Sequence, residues 1–117
     1  MLKIAEKFLA KHKLTKKTVS IALVGDSAIR RLNRCYLRQD RVTDVMAFKG
    51  EDDYLGEIVI GYRQVKRQAR YYSGRTSAEL AVVLVHGLFH LLGHEDKSPA
   101  GRVIMEELGD KFLKKVI

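Results

Sequence analysis

Acidic residues are in short supply in this chain: 14 Asp and Glu stand against 22 Lys and Arg in 117 residues, a formal net charge of +8. Such a balance points to a polyanionic partner, with nucleic acid the first class, or to a basic surface that only keeps the chain soluble. There is one cysteine, Cys35, so no internal disulfide can form and a reducing compartment, the cytoplasm, is expected. No N-terminal apolar run resembles a secretion signal. The longest apolar stretch, Leu80 to Leu92, carries two histidines and is too short for a bilayer, so no membrane role is expected. Repeats, linkers and low-complexity stretches are also missing. With 46% hydrophobic residues, positions 1–117 read as one domain with its own core.

Periodicity supplies the elements. Residues 2–12 read as an amphipathic helix with Ile4, Ala5, Phe8 and Leu9 inward, and His12 as a structural or solvated side chain. Val19, Ile21 and Leu23 alternate with Thr18, Ser20 and Ala22, which indicates a strand ended by Gly25-Asp26. A helix capped by Asp26 or Ser27 follows to about Leu37, with Ala28, Ile29, Leu32, Cys35 and Tyr36 as its inner face. Residues 44–49 and 56–61 read as a hairpin around Gly50-Glu51-Asp52-Asp53. A basic helix from about Arg63 to Tyr72 turns Val65, Ala69 and Tyr72 inward. Its other face carries Arg63, Lys66, Arg67 and Arg70 at i, i+3, i+4 and i+7, a positive ridge. A second basic group, Arg30, Arg31, Arg34, Arg38 and Arg41, lies around the end of the preceding helix. Ser98 and Pro99 open a last helix with Ile104, Met105, Leu108 and Phe112 on one side. Strands early and helices late predict an α+β fold with a small mixed sheet and about five helices.

The chemistry lies between these elements. Thr76 and Glu79 form a T-x-x-E capping-box pattern, and residues 78–92 are apolar nearly all round, interrupted by Glu79, His86 and His90. At about 100° per residue these three share one strip, so the two imidazoles face a single point. Buried imidazoles need polar partners, and a divalent cation would satisfy both. Gly93 ends the helix and Asp96 follows, completing H-x-x-x-H-x-x-G-x-x-D. Three protein ligands with one open position describe a catalytic zinc site of the zinc-hydrolase kind.

Three stretches carry a resemblance: Leu32-Asn33 through Thr43-Asp44-Val45-Met46-Ala47-Phe48, then Leu55-Gly56-Glu57-Ile58-Val59-Ile60, then His86-Gly87-Leu88-Phe89-His90-Leu91-Leu92-Gly93. In order and spacing, from about residue 19 onward, they resemble the YbeY family of bacterial endoribonucleases, also called rRNA maturation factors. The resemblance implies a Zn2+-dependent endoribonuclease specific for single strands. Its implied setting is ribosomal RNA maturation in the cytoplasm, in contact with the small ribosomal subunit, with no DNA substrate.

The resemblance also has departures. The family's third histidine ligand corresponds to Asp96, and His94 occupies a place that does not usually ligate, so His94 is the alternative third or fourth ligand. An aspartate weakens the Lewis acidity of the ion and favours somewhat harder metals such as manganese. The family's cleft arginine corresponds to Leu37, one place before Arg38, which is the expected catalytic arginine here. The family's N-terminal strand is expected to be missing, exposing a sheet edge.

The implied reaction is phosphodiester hydrolysis by a metal-activated water. The ridge at Arg63, Lys66, Arg67 and Arg70 would hold RNA, and Thr43, Asp44 and Phe48 would form the cleft wall. Two rivals remain. A metalloprotease would read H-E-x-x-H, but position 87 is glycine, which instead suits close packing of the helix on the sheet. A non-catalytic ribosome-assembly factor would hold a closed structural metal, with His94 as the fourth ligand.

Overall fold

The computed structural model describes residues 1–116. Five helices surround a three-stranded sheet, in the order α1 (Leu2–Lys11), β1 (Thr18–Val24), α2 (Asp26–Leu37), β2 (Val45–Lys49), β3 (Tyr54–Gly61), α3 (Tyr62–Ala69), α4 (Thr76–Leu91) and α5 (Pro99–Val116). The sheet order is β1-β3-β2, with β1 parallel and β2 antiparallel to β3. The small mixed sheet and the hairpin expected from the alternating apolar residues are both present.

Alternation along the strands divides the core. Ile58 and Ile60 of β3, with Val45 and Ala47 of β2, face α4, whereas Val59, Met46 and Phe48 face Ile29 and Leu32 of α2. The α4 side is the larger core. Leu84 and Leu88 of α4 are fully buried there, and Phe8 of α1 packs edge-on against Phe89 and Phe112 at ring separations of 5.0 and 5.3 Å. Each such side chain contributes about 1.5–3 kcal/mol on burial. His12 is structural: its ring stacks on Phe8, and its Nδ1 hydrogen-bonds the Phe8 carbonyl at 2.9 Å.

The seating of α4 depends on Gly87. A Cβ there would meet Cγ2 of Ile58 at 3.0 Å and Cγ2 of Val45 at 3.3 Å, so the glycine lets the helix backbone approach the sheet. The packing role read for Gly87 in the sequence holds.

Several local readings change. The T-x-x-E box does not form: Arg75 is the N-cap, Thr76 already lies in the helix, and Glu79 turns inward, 4% exposed. Gly25, not Asp26 or Ser27, caps α2, and the Asp26 carboxylate is taken by Arg67. The inner face of α2 is Ile29, Leu32 and Asn33. Ala28, Cys35 and Tyr36 are exposed, because the sheet above α2 is narrow and covers a single stripe. Helix α3 stops at Ala69, so Tyr72 turns out to solvent. Leu23 and Ile104 are exposed as well. By contrast Ser98 does cap α5, accepting from the Gly101 N–H at 3.0 Å.

Candidate metal centre

The strip on α4 brings His86 and His90 side by side, with ring centroids 4.8 Å apart. The third group arrives because the helix ends sharply. Gly93 adopts φ +97°, its N–H donates to the His90 carbonyl, and the His94 N–H donates to the Phe89 carbonyl. This pair of bonds is a Schellman motif, which needs the left-handed conformation that glycine adopts without strain. The reversed chain carries Asp96 back to the histidines. Its Oδ2 lies 3.0 Å from His86 Nε2 and 3.6 Å from His90 Nε2.

These donors fit a metal ion. Among the described residues His86, His90 and Asp96 are the one group of this kind, each offering an atom within 4.8 Å of the others. Tetrahedral coordination with bonds of about 2.0–2.2 Å places neighbouring donors about 3.4 Å apart, and the two distances to Asp96 bracket that value. Protonation favours the same outcome. Burial, then the neighbouring His86, lowers the pKa of His90 below 6.5, against the opposing pull of Asp96 and the backbone of His94. Burial raises that of Asp96, but the hydrogen bond with His86 and the charges of His90 and His86 outweigh it and leave the carboxyl below 3.8. A neutral imidazole and an ionised carboxylate are the forms that bind cations. His94 is outside the group: it is exposed, and its ring packs edge-on against Phe89 at 5.5 Å.

A cavity of about 650 Å³ opens beside His86 and Asp96. One wall is a hydrogen-bonded chain of side chains. The Gln68 amide donates to Asp44 Oδ2 and to Glu79 Oε2, both at 2.9 Å, and the Ser73 hydroxyl donates to the other Glu79 oxygen. Each polar group is therefore satisfied although Glu79 is buried. Of the expected wall residues, Asp44 lines this cavity. Phe48 instead packs against Tyr36 on the α2 side of the sheet, away from the centre, and Thr43 is half-buried before β2 without lining the cavity.

Arg38 ends α2 in the left-handed region at φ 55°, is exposed and does not line the cavity. Its loop is fixed elsewhere, by the Asn33 amide on the Arg41 carbonyl and by Arg30 on Asp40. The arginine that lines the cavity is Arg102, in the first turn of α5. Sequence reasoning passed over it, along with Gln68, Ser73 and the inward role of Glu79. Arg102 lies six residues beyond Asp96 on a helix whose cap was legible, but its place in the cavity is set by where α5 packs, which the sequence does not mark. The α3 ridge exists as expected, with Arg63, Lys66, Arg67 and Arg70 all exposed, although Arg67 is held by Asp26 at 2.8 and 2.9 Å.

An α+β chain that converges two imidazoles and a carboxylate beside an open cavity has the donor set of metal-dependent hydrolases. The chain belongs to the endoribonuclease YbeY family, whose model matches residues 1–117, a longer match than the stretch from residue 19 that the motifs marked. It is 38% identical to the endoribonuclease YbeY of Myxococcus xanthus across 93% of this chain, though it spans 40% of that longer protein. The Carboxydothermus hydrogenoformans protein of the same name is 39% identical, with 81% of this chain and 69% of that one covered. The Endomicrobium trichonymphae protein is 34% identical, with 97% and 82% covered. Among solved structures, TM1509 from Thermotoga maritima superposes with a TM-score of 0.67 at 30% identity, over 97% of this chain and 79% of that one. The three sequence relatives are named as endoribonucleases, hydrolases of phosphodiester bonds. Among the described residues no helix is long and apolar enough to cross a membrane.

Proposed function

We propose that this chain is a single-strand-specific endoribonuclease of the cytoplasm, dependent on one divalent ion, that matures ribosomal RNA in contact with the small ribosomal subunit. The whole of 1–117 acts as one catalytic domain. The observation that carries the reading is the convergence of His86, His90 and Asp96 at metal-donor spacing on the edge of a cavity. Zinc suits the two imidazoles, and the carboxylate admits manganese as well. Such an ion, when bound, supplies Lewis acidity to a phosphoryl oxygen and lowers the pKa of a coordinated water.

The protein's own residues do the rest. Asp96, carried back by the turn after α4, would complete the donor group, its Oδ2 lying beside Nε2 of both histidines. Gln68 and Ser73 hold Glu79, and through it the wall between α3 and α4. Arg102 takes the role expected of Arg38, holding a phosphate by its guanidinium fork and opposing the charge that grows on phosphorus. Arg63, Lys66 and Arg70 attract the strand by charge. No glutamate follows His86 to serve as a peptidase base, since Gly87 stands there against the sheet, and the protease reading loses its chemistry. Three donors without His94 leave an open position, which favours catalysis over a closed structural metal.

The test is incubation of a single-stranded ribosomal RNA fragment with the full chain, with and without chelator. Metal-dependent cutting that is lost in His86→Ala is expected. Tight RNA binding without cutting would leave only the assembly-factor reading.

A further inference from the structure

Two depressions meet at one pair of side chains. Tyr72 lines the cavity that contains His86 and Asp96, while Tyr71, the residue before it, lines a separate groove of about 890 Å³ with Tyr62 and the α3 cations. Tyr71 and Tyr72 are 81% and 79% exposed, the most open large hydrophobic side chains among the described residues. They sit between charge of one sign and the metal centre. Arg63, Lys66 and Arg70 make no ion pair among the described residues, so their charge is available to a ligand.

The turn that presents the rings is anchored on both sides. The N–H groups of Tyr71 and Tyr72 both donate to the Gln68 carbonyl, at 3.0 and 3.2 Å, and the Gly74 N–H donates to the Ala69 carbonyl. Gly74 takes φ +81°, and Ser73 is tied to the buried Glu79. Rings held on a fixed backbone lose little freedom when another flat group stacks on them.

We infer that Tyr71 and Tyr72 form a stacking platform that seats unpaired RNA bases between the cationic groove on α3 and the metal centre. The inference rests on the endoribonuclease reading and supplies a physical basis for single-strand preference. Exposed aromatic faces beside cations accept bases of any sequence, provided the bases are not already stacked within a duplex. Charge also sets the direction of approach. The α5 side of the metal cavity carries Glu106 and Asp110 beyond Arg102, so past that single guanidinium it repels phosphates, whereas the α3 groove attracts them along its length. The strand therefore arrives over α3, past Tyr71 and Tyr72.

The experiment uses the full metal-loaded chain and a single-stranded RNA oligonucleotide containing 2-aminopurine, whose fluorescence falls on stacking, with a duplex of the same sequence as reference. Binding to the wild type should quench the signal. Y71A/Y72A should abolish the quench, weaken single-strand binding about ten-fold or more and raise KM by a larger factor than it changes kcat. Duplex binding and metal content should stay at wild-type levels. Y71F/Y72F, which keeps the rings, should restore the quench. Equal single-strand binding by Y71A/Y72A, or equal losses on single strand and duplex, overturns the platform. A wild type that quenches but never cuts overturns the endoribonuclease reading and leaves the platform standing. A wild type that cuts, with KM unmoved in Y71A/Y72A, overturns the platform alone.

Discussion

His86 Nε2 and Asp96 Oδ2 stand 3.0 Å apart although ten positions of chain separate them. The contact exists because α4 ends in a Schellman turn at Gly93 and the next residues fold back over the last helical turn. A polar cluster is thereby assembled from the terminus of the most buried helix in the molecule. Its geometry is only as fixed as the seat of that helix, which packing against the sheet on one side and the Glu79 network on the other hold in place.

Gly87 sets the distance between α4 and the sheet. Gly87→Ala places a methyl 3.0 Å from Ile58 Cγ2, and overpacking of about 1–3 kcal/mol outweighs a helix-propensity gain of about 1 kcal/mol. A net loss of about 1 kcal/mol in urea unfolding is expected. A gain in stability contradicts the close-packing account.

Glu79 holds the wall of the cavity. Glu79→Ala leaves the Ser73 hydroxyl without its acceptor and takes one of two acceptors from the Gln68 amide, at a cost of about 2 kcal/mol. Glu79→Gln keeps the shape and part of the bonding, so its unfolding midpoint should fall between those of the wild type and the alanine variant. A loss under about 0.5 kcal/mol in Glu79→Ala contradicts the network.

The hydrophobic framework was legible because it depends on period: β1, the hairpin, α4 and α5 all emerge from the spacing of apolar residues. The metal group was legible for the same reason, since His86 and His90 share a helical face and Gly93 marks the reversal before Asp96. What escaped depends on tertiary competition. Thr76 and Glu79 match a capping box, but Glu79 finds better partners in Gln68 and Ser73, which come from α3 and the turn after it. Asp26 could cap α2 but pairs with Arg67 instead. Phe48 and Asp44 are four positions apart, which strand alternation would put on one face, but Asp44 precedes β2 and its carboxylate is turned to the Gln68 amide while Phe48 packs on the α2 side. No local pattern distinguishes Arg38 from Arg102, because which arginine reaches the cavity is decided by where α5 packs.

The two arginines separate in kinetics. Arg102→Ala is expected to lower kcat for RNA cutting about ten-fold, below the usual loss for a pre-placed buried donor because the residue is exposed. Arg38→Ala should change kcat by less. The opposite order returns the role to Arg38.

Acid should weaken the chelator-treated protein in a defined order. His90 has its folded pKa lowered by burial and by His86, so around pH 6.5 the unfolded chain binds more protons than the folded one. Stability is then complete above pH 6.5 and declines as pH falls through that value toward the lowered one. Asp96, also lowered, keeps its contribution above pH 3.8 and loses it only in stronger acid. Tm should drop between about pH 7.5 and 5.5, and His90→Ala should flatten that slope. An identical slope in the variant contradicts the assignment.

The most direct measurement is metal content per chain, by elemental analysis of protein purified without chelator, for wild type and for His86→Ala, His90→Ala, Asp96→Ala and His94→Ala. The account predicts one divalent ion per chain in the wild type and in His94→Ala, and loss of stoichiometric metal in the other three. Full retention in Asp96→Ala together with loss in His94→Ala would contradict it.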